Sequence, residues 1–105
     1  MKEDFFKWMT DKKSFLSKYG IDTEKLTYKE ESKNDYSCVI VHHYNPNKCL
    51  GHIEMFGVNM VFFEVIDFNS GERLAIEHTE FDYENDFNVL FESYFTALIS
   101  GEKVD

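Results

Sequence analysis

Several stretches in the middle of the chain have the hydrophobic pattern of β-strands. The clearest is residues 60–67, a run of β-branched and aromatic residues that is apolar on both alternating faces. Such a run is typical of a strand in the interior of a sheet. Short turn-forming segments at residues 57–58 and 67–71 join it to further strand-like stretches at residues 49–56 and 72–79. Because both connections are short, we expect an antiparallel meander.

Two more strands are predicted before this meander. Residues 36–44 form a long apolar run that ends at a turn-forming Asn-Pro-Asn sequence, residues 45–47. Residues 26–29 alternate and end at Lys29, and a lysine protects an exposed sheet edge against pairing with another chain. Residues 30–35 between these two strands are polar and predict a turn.

A helix is predicted at each end of the chain. Residues 3–19 carry apolar side chains at three-and-four spacings and are followed by Gly20, a residue suited to a helix C-terminus. A second stripe begins at residue 87 and ends before Gly101, with Asp82 or Asn85 as the expected N-cap. We therefore predict one α+β domain over residues 1–105, with an antiparallel sheet of about five strands flanked by an N-terminal and a C-terminal helix.

The two faces of the sheet differ in polarity. If residues 45–47 form the loop, Val39 lies opposite Ile53 and Val41 opposite Gly51, which places an apolar set on one face. The other face is mixed, and it includes Phe63 if the next turn has two residues. The mixed face has these members: Cys38, Ile40, His42, Leu50, His52, Glu54 and Phe63. An apolar centre with a polar rim is typical of a protein interface, although cover by a helix explains the face equally well.

Glu64 interrupts the most apolar strand. The same register points it toward the core, where an unpaired carboxylate is costly. The alternative, which we favour, is that it lies near a strand end or pairs with a lysine or with Arg73 at the margin of the sheet.

The charge is −9 and is distributed unevenly. Residues 1–33 are nearly neutral, whereas residues 34–105 hold thirteen acids against three basic residues. Such a field repels phosphate backbones and anionic lipid, so we expect neither nucleic-acid nor membrane binding. A basic protein is the natural partner, and the alternative is that the acidity only aids solubility.

No strong catalytic or metal-binding motif is present. His42 and His43 are adjacent in a predicted strand, so their side chains point to opposite faces. His42, His52, Glu54 and His78 remain the basis of an alternative, a small enzyme or metal-binding domain, but they lack the spacing of a metal motif. We therefore predict a protein without catalytic residues, cofactor or metal. A ligand-binding or adaptor module that uses the mixed face is a further alternative.

Residues 77–86 interleave carboxylates with aromatic rings. They form either a solvated connection or a docking surface for a cationic cleft, with the rings as anchors. On the second interpretation, the predicted partner-binding residues are those of this run together with three from the mixed face: Glu77, Glu80, Phe81, Asp82, Tyr83, Glu84, Asp86, His52, Glu54 and Phe63.

The order of these elements resembles that of the TriTu-type immunity proteins of bacterial polymorphic-toxin systems. The resemblance rests on an amphipathic first helix with Trp8, the segments Leu50-Gly51-His52-Ile53, Phe63-Glu64-Val65-Ile66-Asp67 and Ser70-Gly71-Glu72, and a closing helix over residues 87–99. It implies a non-enzymatic protein that binds and neutralises a cognate toxin domain, as in contact-dependent growth inhibition. We expect a basic toxin domain, a nuclease above all, blocked at its active-site cleft or at an adjacent exosite. The N-terminus has no signal-peptide pattern, so we expect a cytoplasmic protein. We also expect it to be a monomer or a weak dimer.

Overall fold

The computed structural model describes residues 2–29, 38–82 and 86–104. Within them, one antiparallel sheet carries helices on one of its faces. The elements are α1 (Lys2–Ser17), β1 (Asp22–Lys29), β2 (Cys38–Asn45), β3 (Cys49–Phe56), β4 (Met60–Asp67), β5 (Arg73–Glu80), α2 (Phe87–Leu90) and α3 (Glu92–Ser100). This arrangement confirms the predicted α+β fold. The predicted turn at residues 30–35 and the predicted start of a strand at Tyr36 lie outside the described residues.

The strands lie side by side in the order β1-β2-β3-β4-β5, and each neighbouring pair is antiparallel. The predicted meander is therefore confirmed, and β3 and β4 have the predicted bounds. Strand β4 is paired on both sides, as its apolar pattern indicated. The two edges of the sheet are β1 and β5.

The loop between β3 and β4 corrects the predicted faces of β4. Phe56 pairs with Met60, so the loop has three residues rather than two, and Gly57 takes a left-handed φ of 61°. One extra residue turns every side chain of the next strand to the opposite face. Phe63 is consequently fully buried against the helices, and its predicted place on the mixed face is wrong. Glu64 instead lies on the open face, where it accepts a 2.9 Å contact from Arg73, as in the favoured alternative.

The register between β2 and β3 differs from the predicted one by two residues. Val41 pairs with Ile53 and Val39 with Met55, because the loop occupies residues 46–48 rather than 45–47. A shift of two residues preserves the faces, since side chains alternate with a period of two. Val39 and Val41 are buried as predicted.

Both helical segments pack on the same face of the sheet. Helix α1 buries Phe5, Met9 and Leu16 there. The predicted C-terminal helix is two segments separated at Phe91, and its N-cap is Asp86, whose carboxylate accepts a hydrogen bond from the backbone N–H of Asn88 at 2.7 Å. The prediction of Asp82 as the cap is wrong, and Asn85 lies outside the described residues.

Aromatic rings fill the space between the helices and the sheet. Phe91 lies 5.2 Å from Phe5 and 5.9 Å from Phe63 between ring centroids, and Tyr94 lies 5.6 Å from Phe63. Gly51 of β3 faces Tyr94, and a Cβ atom there would clash with the phenol oxygen. The absence of a side chain at Gly51 thus lets α3 approach the middle of the sheet.

Candidate functional site

An acidic groove runs between strand β5 and the last two helices. Its volume is about 550 Å³. Its lining residues are Glu77, Thr79, Glu80, Val89, Leu90, Glu92, Ser93, Thr96 and Val104. We call this feature the β5 groove. Its composition combines exposed carboxylates with apolar side chains, the most exposed of which is Val89, at 70%.

Strand β5 and helix α3 place the three carboxylates of the β5 groove. Glu77 and Glu80 come from the exposed end of β5, and Glu92 begins α3, where an acid is favoured by the helix dipole. In the part of the chain that the structure describes, no side-chain hydrogen bond or ion pair engages these three carboxylates. They are therefore available to a cationic partner.

Little positive charge lies near these acids in sequence. The described residues from 72 to 104 contain seven acids and two basic residues, Arg73 and Lys103. Arg73 contacts Glu64 at 2.9 Å, and Lys103 lies 3.6 Å from Glu72. Both cations of this segment are thus engaged with acids outside the groove, and the field at β5 remains negative.

The face of the sheet opposite the helices is open among the described residues. It contains a concavity of about 500 Å³ between β2, β3 and β4, lined by Glu24, His42, His43, Tyr44, Leu50, Gly51, His52, Glu64, Ile66 and Phe68. We call it the open-face concavity. The predicted explanation that a helix covers this face does not hold for the described helices, which pack on the other side.

Two histidines meet on this open face. The rings of His42 and His52 are 4.7 Å apart between centroids, and His52 Nε2 lies 3.6 Å from a carboxylate oxygen of Glu54. Partial burial lowers the pKa of His42 below its ordinary value, and the neighbouring His52 lowers it further. His78 lies against Phe56 and Phe62 instead, with ring centroids 6.2 and 6.3 Å away.

Within the described part of the chain, the histidines do not form a metal centre with nearby ligands. Across residues 2–29, 38–82 and 86–104, no group of three or more histidine, cysteine, aspartate or glutamate side chains has a geometry that could hold a metal ion. Cys38 and Cys49 are both free thiols, and burial raises the pKa of Cys49 to about 11. A thiol so far from ionisation is a poor nucleophile and a poor metal ligand at neutral pH.

A buried polar cluster lies beneath the open face, against α3. His43 Nδ1 lies 2.6 Å from the hydroxyl oxygen of Tyr94, and the Asn45 side chain donates to the carbonyl of Leu98 at 2.8 Å. Burial, together with the neighbouring His42, lowers the pKa of His43 to about 4, so the ring is neutral at pH 7. The bonds from His43 and Asn45 to α3 fix the position of that helix on the sheet, which is a structural role.

A comparison with protein families matches residues 3–97 to the family described as Immunity protein TriTu. The chain belongs to this family. The matched range includes both edge strands, most of α3 and every lining residue of the β5 groove except Val104, so nearly all of the candidate surfaces lie within the family region. No match is found among curated proteins or among solved structures.

TriTu membership implies a toxin protein as the partner and suggests a protein without catalytic activity. The structure brings two predicted partner-binding residues, Glu77 and Glu80, into the β5 groove, and it leaves His52 and Glu54 on the open face. The groove also contains Val89 and Glu92. Sequence reasoning missed these two, because their place in the groove depends on how the last helical segments pack beside β5 and has no local signal in the sequence.

Other predicted partner-binding residues of this TriTu protein have different roles. Phe81 is buried and stacks on Phe87 at 5.0 Å between ring centroids, so its predicted use as a surface anchor is wrong. The prediction of Phe63 as a surface contact is wrong for the same reason, because its side chain is fully buried. Asp82 is exposed, and Asp86 is exposed but serves as the cap of α2. The remaining two predicted residues, Tyr83 and Glu84, lie outside the described residues.

None of the described helices is long and apolar enough to cross a membrane.

Proposed function

We propose that this protein binds the toxic domain of a bacterial polymorphic effector and neutralises it in the cytoplasm of the producing cell, as in contact-dependent growth inhibition. Its membership of an immunity family is the observation that carries the proposal. The protein acts by forming a one-to-one complex, and no chemistry of its own is required.

The toxin domain that fits this surface is basic. The carboxylates of Glu77, Glu80 and Glu92 are exposed and have no cationic partner among the described residues, so they favour binding to lysine and arginine. Enzymes that act on nucleic acid carry such basic clefts because they hold a phosphate backbone. A nuclease domain is therefore the partner that we propose, with the β5 groove occupying its substrate cleft or an exosite beside it.

The first experiment is co-expression of this protein with the C-terminal domain of the effector encoded beside it, scored by growth and by co-purification. We expect rescue of growth and a stable complex. If this protein blocks the active site, it should compete with the DNA or RNA substrate for the toxin, whereas exosite binding should leave substrate binding intact. Full toxicity in the presence of well-folded protein would refute the proposal.

The role of the β5 groove is tested with a pair of charge reversals. The variant Glu77→Lys/Glu92→Lys should weaken toxin binding by about 100-fold, because it replaces attraction with repulsion at two groove positions. The matched control is Asp11→Lys/Asp22→Lys, an equal change of charge at exposed positions on α1 and β1. If the two variants bind alike, net charge rather than this groove governs the complex.

The open face offers a second docking surface for the same toxin. Its specific support is the uncovered concavity beside His52 and Glu54. The variant His52→Ala/Glu54→Lys, measured in the same binding assay, separates the two surfaces. Loss of affinity in this variant and in no groove variant would assign docking to the open face.

A further inference from the structure

Strand β5 has one unpaired edge among the described residues. On its inner side the backbone N–H of Phe81 donates to the carbonyl of Asn59 at 2.7 Å, and on its outer side the carbonyl of Leu74 accepts from Val104 at 2.9 Å. Along an antiparallel strand, each residue directs its N–H and its C=O to the same side, and the next residue directs its own pair to the opposite side. Odd-numbered residues of β5 therefore bond to β4, and Ile76, His78 and Glu80 direct their N–H and C=O groups outward.

These outward groups lack a described partner. The C-terminal segment crosses the edge at Leu74, and no other backbone hydrogen bond to the outer side of β5 occurs in the described chain. Ile76, His78 and Glu80 are also exposed, so the edge is accessible from water. An edge of this kind is a template for an additional strand.

The opposite edge of the sheet, strand β1, is protected against pairing with another chain. Strand β1 has a bulge between Thr23 and Lys25, carries Lys25 and Lys29, and packs against α1. Bulges and lysines are two devices by which proteins prevent edge-to-edge pairing. Strand β5 also has a register shift, between Arg73 and Ala75, but its exposed part, residues 76–80, has a regular register with β4 and contains no lysine. Only one of the two edges therefore remains suited to pairing.

The β5 groove lies directly beside this edge and indicates what would pair with it. A strand added to β5 would direct alternate side chains into the groove, where Glu77 and Glu92 favour basic groups and Val89 favours an apolar one. A second copy of this chain fits less well, because its own free edge is acidic and would bring like charges together.

We infer that the toxin domain docks by adding an extended segment, with lysine or arginine at alternate positions, as a sixth strand beside residues 76–80 of β5. This inference rests on the proposed function and specifies its geometry. Backbone hydrogen bonds supply affinity without regard to sequence, while the groove selects the charge of the incoming side chains.

Amide hydrogen exchange followed by NMR tests the inference on the unmodified protein. In the free protein, the amides of Ile76, His78 and Glu80 should exchange quickly, while those of Glu77 and Thr79 are protected by β4. In the toxin complex, the three outward amides should become protected by at least about tenfold. A complex that neutralises the toxin and leaves these amides unprotected would overturn the inference and leave the proposed function intact.

A matched pair of variants at His78 provides a second test. His78→Pro removes an outward N–H that β4 does not use, a position where an edge strand tolerates proline. His78→Ala removes the same side chain but keeps the N–H, so it controls for loss of the contacts with Phe56 and Phe62. We expect the proline variant to lose at least about 30-fold in affinity and the alanine variant to stay within about threefold.

Two other outcomes would also overturn the inference. Equal affinities of the two His78 variants, with both folded by circular dichroism, would show that docking does not use this edge. Protection of the outward amides in concentrated protein without toxin, together with a dimer mass in solution, would assign the edge to a second copy. Absence of any toxin binding by the parent protein would instead refute the proposed function.

Discussion

Protonation of His43 should destabilise the folded protein at mildly acidic pH. The ring is 1% exposed, its Nδ1 lies 2.6 Å from the hydroxyl oxygen of Tyr94, and among the described residues its Nε2 has no hydrogen-bond partner. Burial lowers the pKa of His43 from 6.5 to about 4. The unfolded chain therefore binds a proton at a higher pH than the folded protein does.

The sign and size of the effect follow from this difference. Above pH 6.5 neither state binds the proton, so the free energy of unfolding is unaffected by His43. As the pH falls below 6.5 only the unfolded state gains it, and stability is lost until the folded protein also protonates near pH 4. The full loss is about 3 kcal/mol, of which about 2 kcal/mol is reached between pH 7 and pH 5.

Urea unfolding at pH 7 and pH 5 measures this loss. For a domain of this size, about 2 kcal/mol moves the midpoint by more than about 1 M urea. The variant His43→Asn keeps a polar group near Nδ1 but does not titrate, so its midpoint should depend less on pH than that of the parent. His78→Asn, at an exposed position, is the matched control and should retain the pH dependence of the parent.

Direct titration gives the result that would refute the reasoning. The Cε1–H resonance of His43 in the folded protein should not shift until the pH is well below 6. A midpoint near 6.5 for this resonance, or equal pH dependence of the parent and His43→Asn, would show that the ring is hydrated or has an unrecognised partner.

Three further predictions concern stability and reactivity. Gly51→Ala should cost about 1–3 kcal/mol in urea unfolding, because the new methyl group would overlap the phenol of Tyr94, and the cost should fall in a Tyr94→Phe background. Cys38 should react with a thiol reagent at pH 8 well before Cys49, which is fully buried and whose pKa is raised to about 11; equal rates would show local opening at β3. Asp86→Ala should lower stability by about 1 kcal/mol through loss of the cap of α2, and an unchanged melting curve would contradict this.

The strands of the meander were predictable because their signals are local. Alternation and turn residues placed β3 and β4 at the observed bounds, and the same reasoning placed Val39 and Val41 in the core. The face of β4 was not predictable with equal certainty. It depends on whether the loop after Phe56 has two residues or three, and Gly57 suits a left-handed position in either loop.

The sequence predicts the negative charge of the candidate site but not the shape of its groove. The excess of acids after residue 72 is a property of the sequence, and Glu77 and Glu80 follow from it directly. Val89 of α2 and Glu92 of α3 enter the groove only because these helical segments lie beside β5, a tertiary arrangement without a local signal. Phe81 was misassigned because interleaved aromatic and acidic residues look alike whether the ring lies inside or outside.

The distribution of ion pairs separates the acids that stabilise the fold from those that do not. Glu64 and Glu72 each have a cationic partner, and Asp86 caps a helix, so these carboxylates contribute to the folded structure. Glu77 and Glu92 have no such partner among the described residues, and like charges that share a groove repel one another. Exposed carboxylates that give the free protein no visible stabilisation are more readily explained by a partner that neutralises them. This reasoning favours the β5 groove over the open face, where Glu54 and Glu64 already have partners.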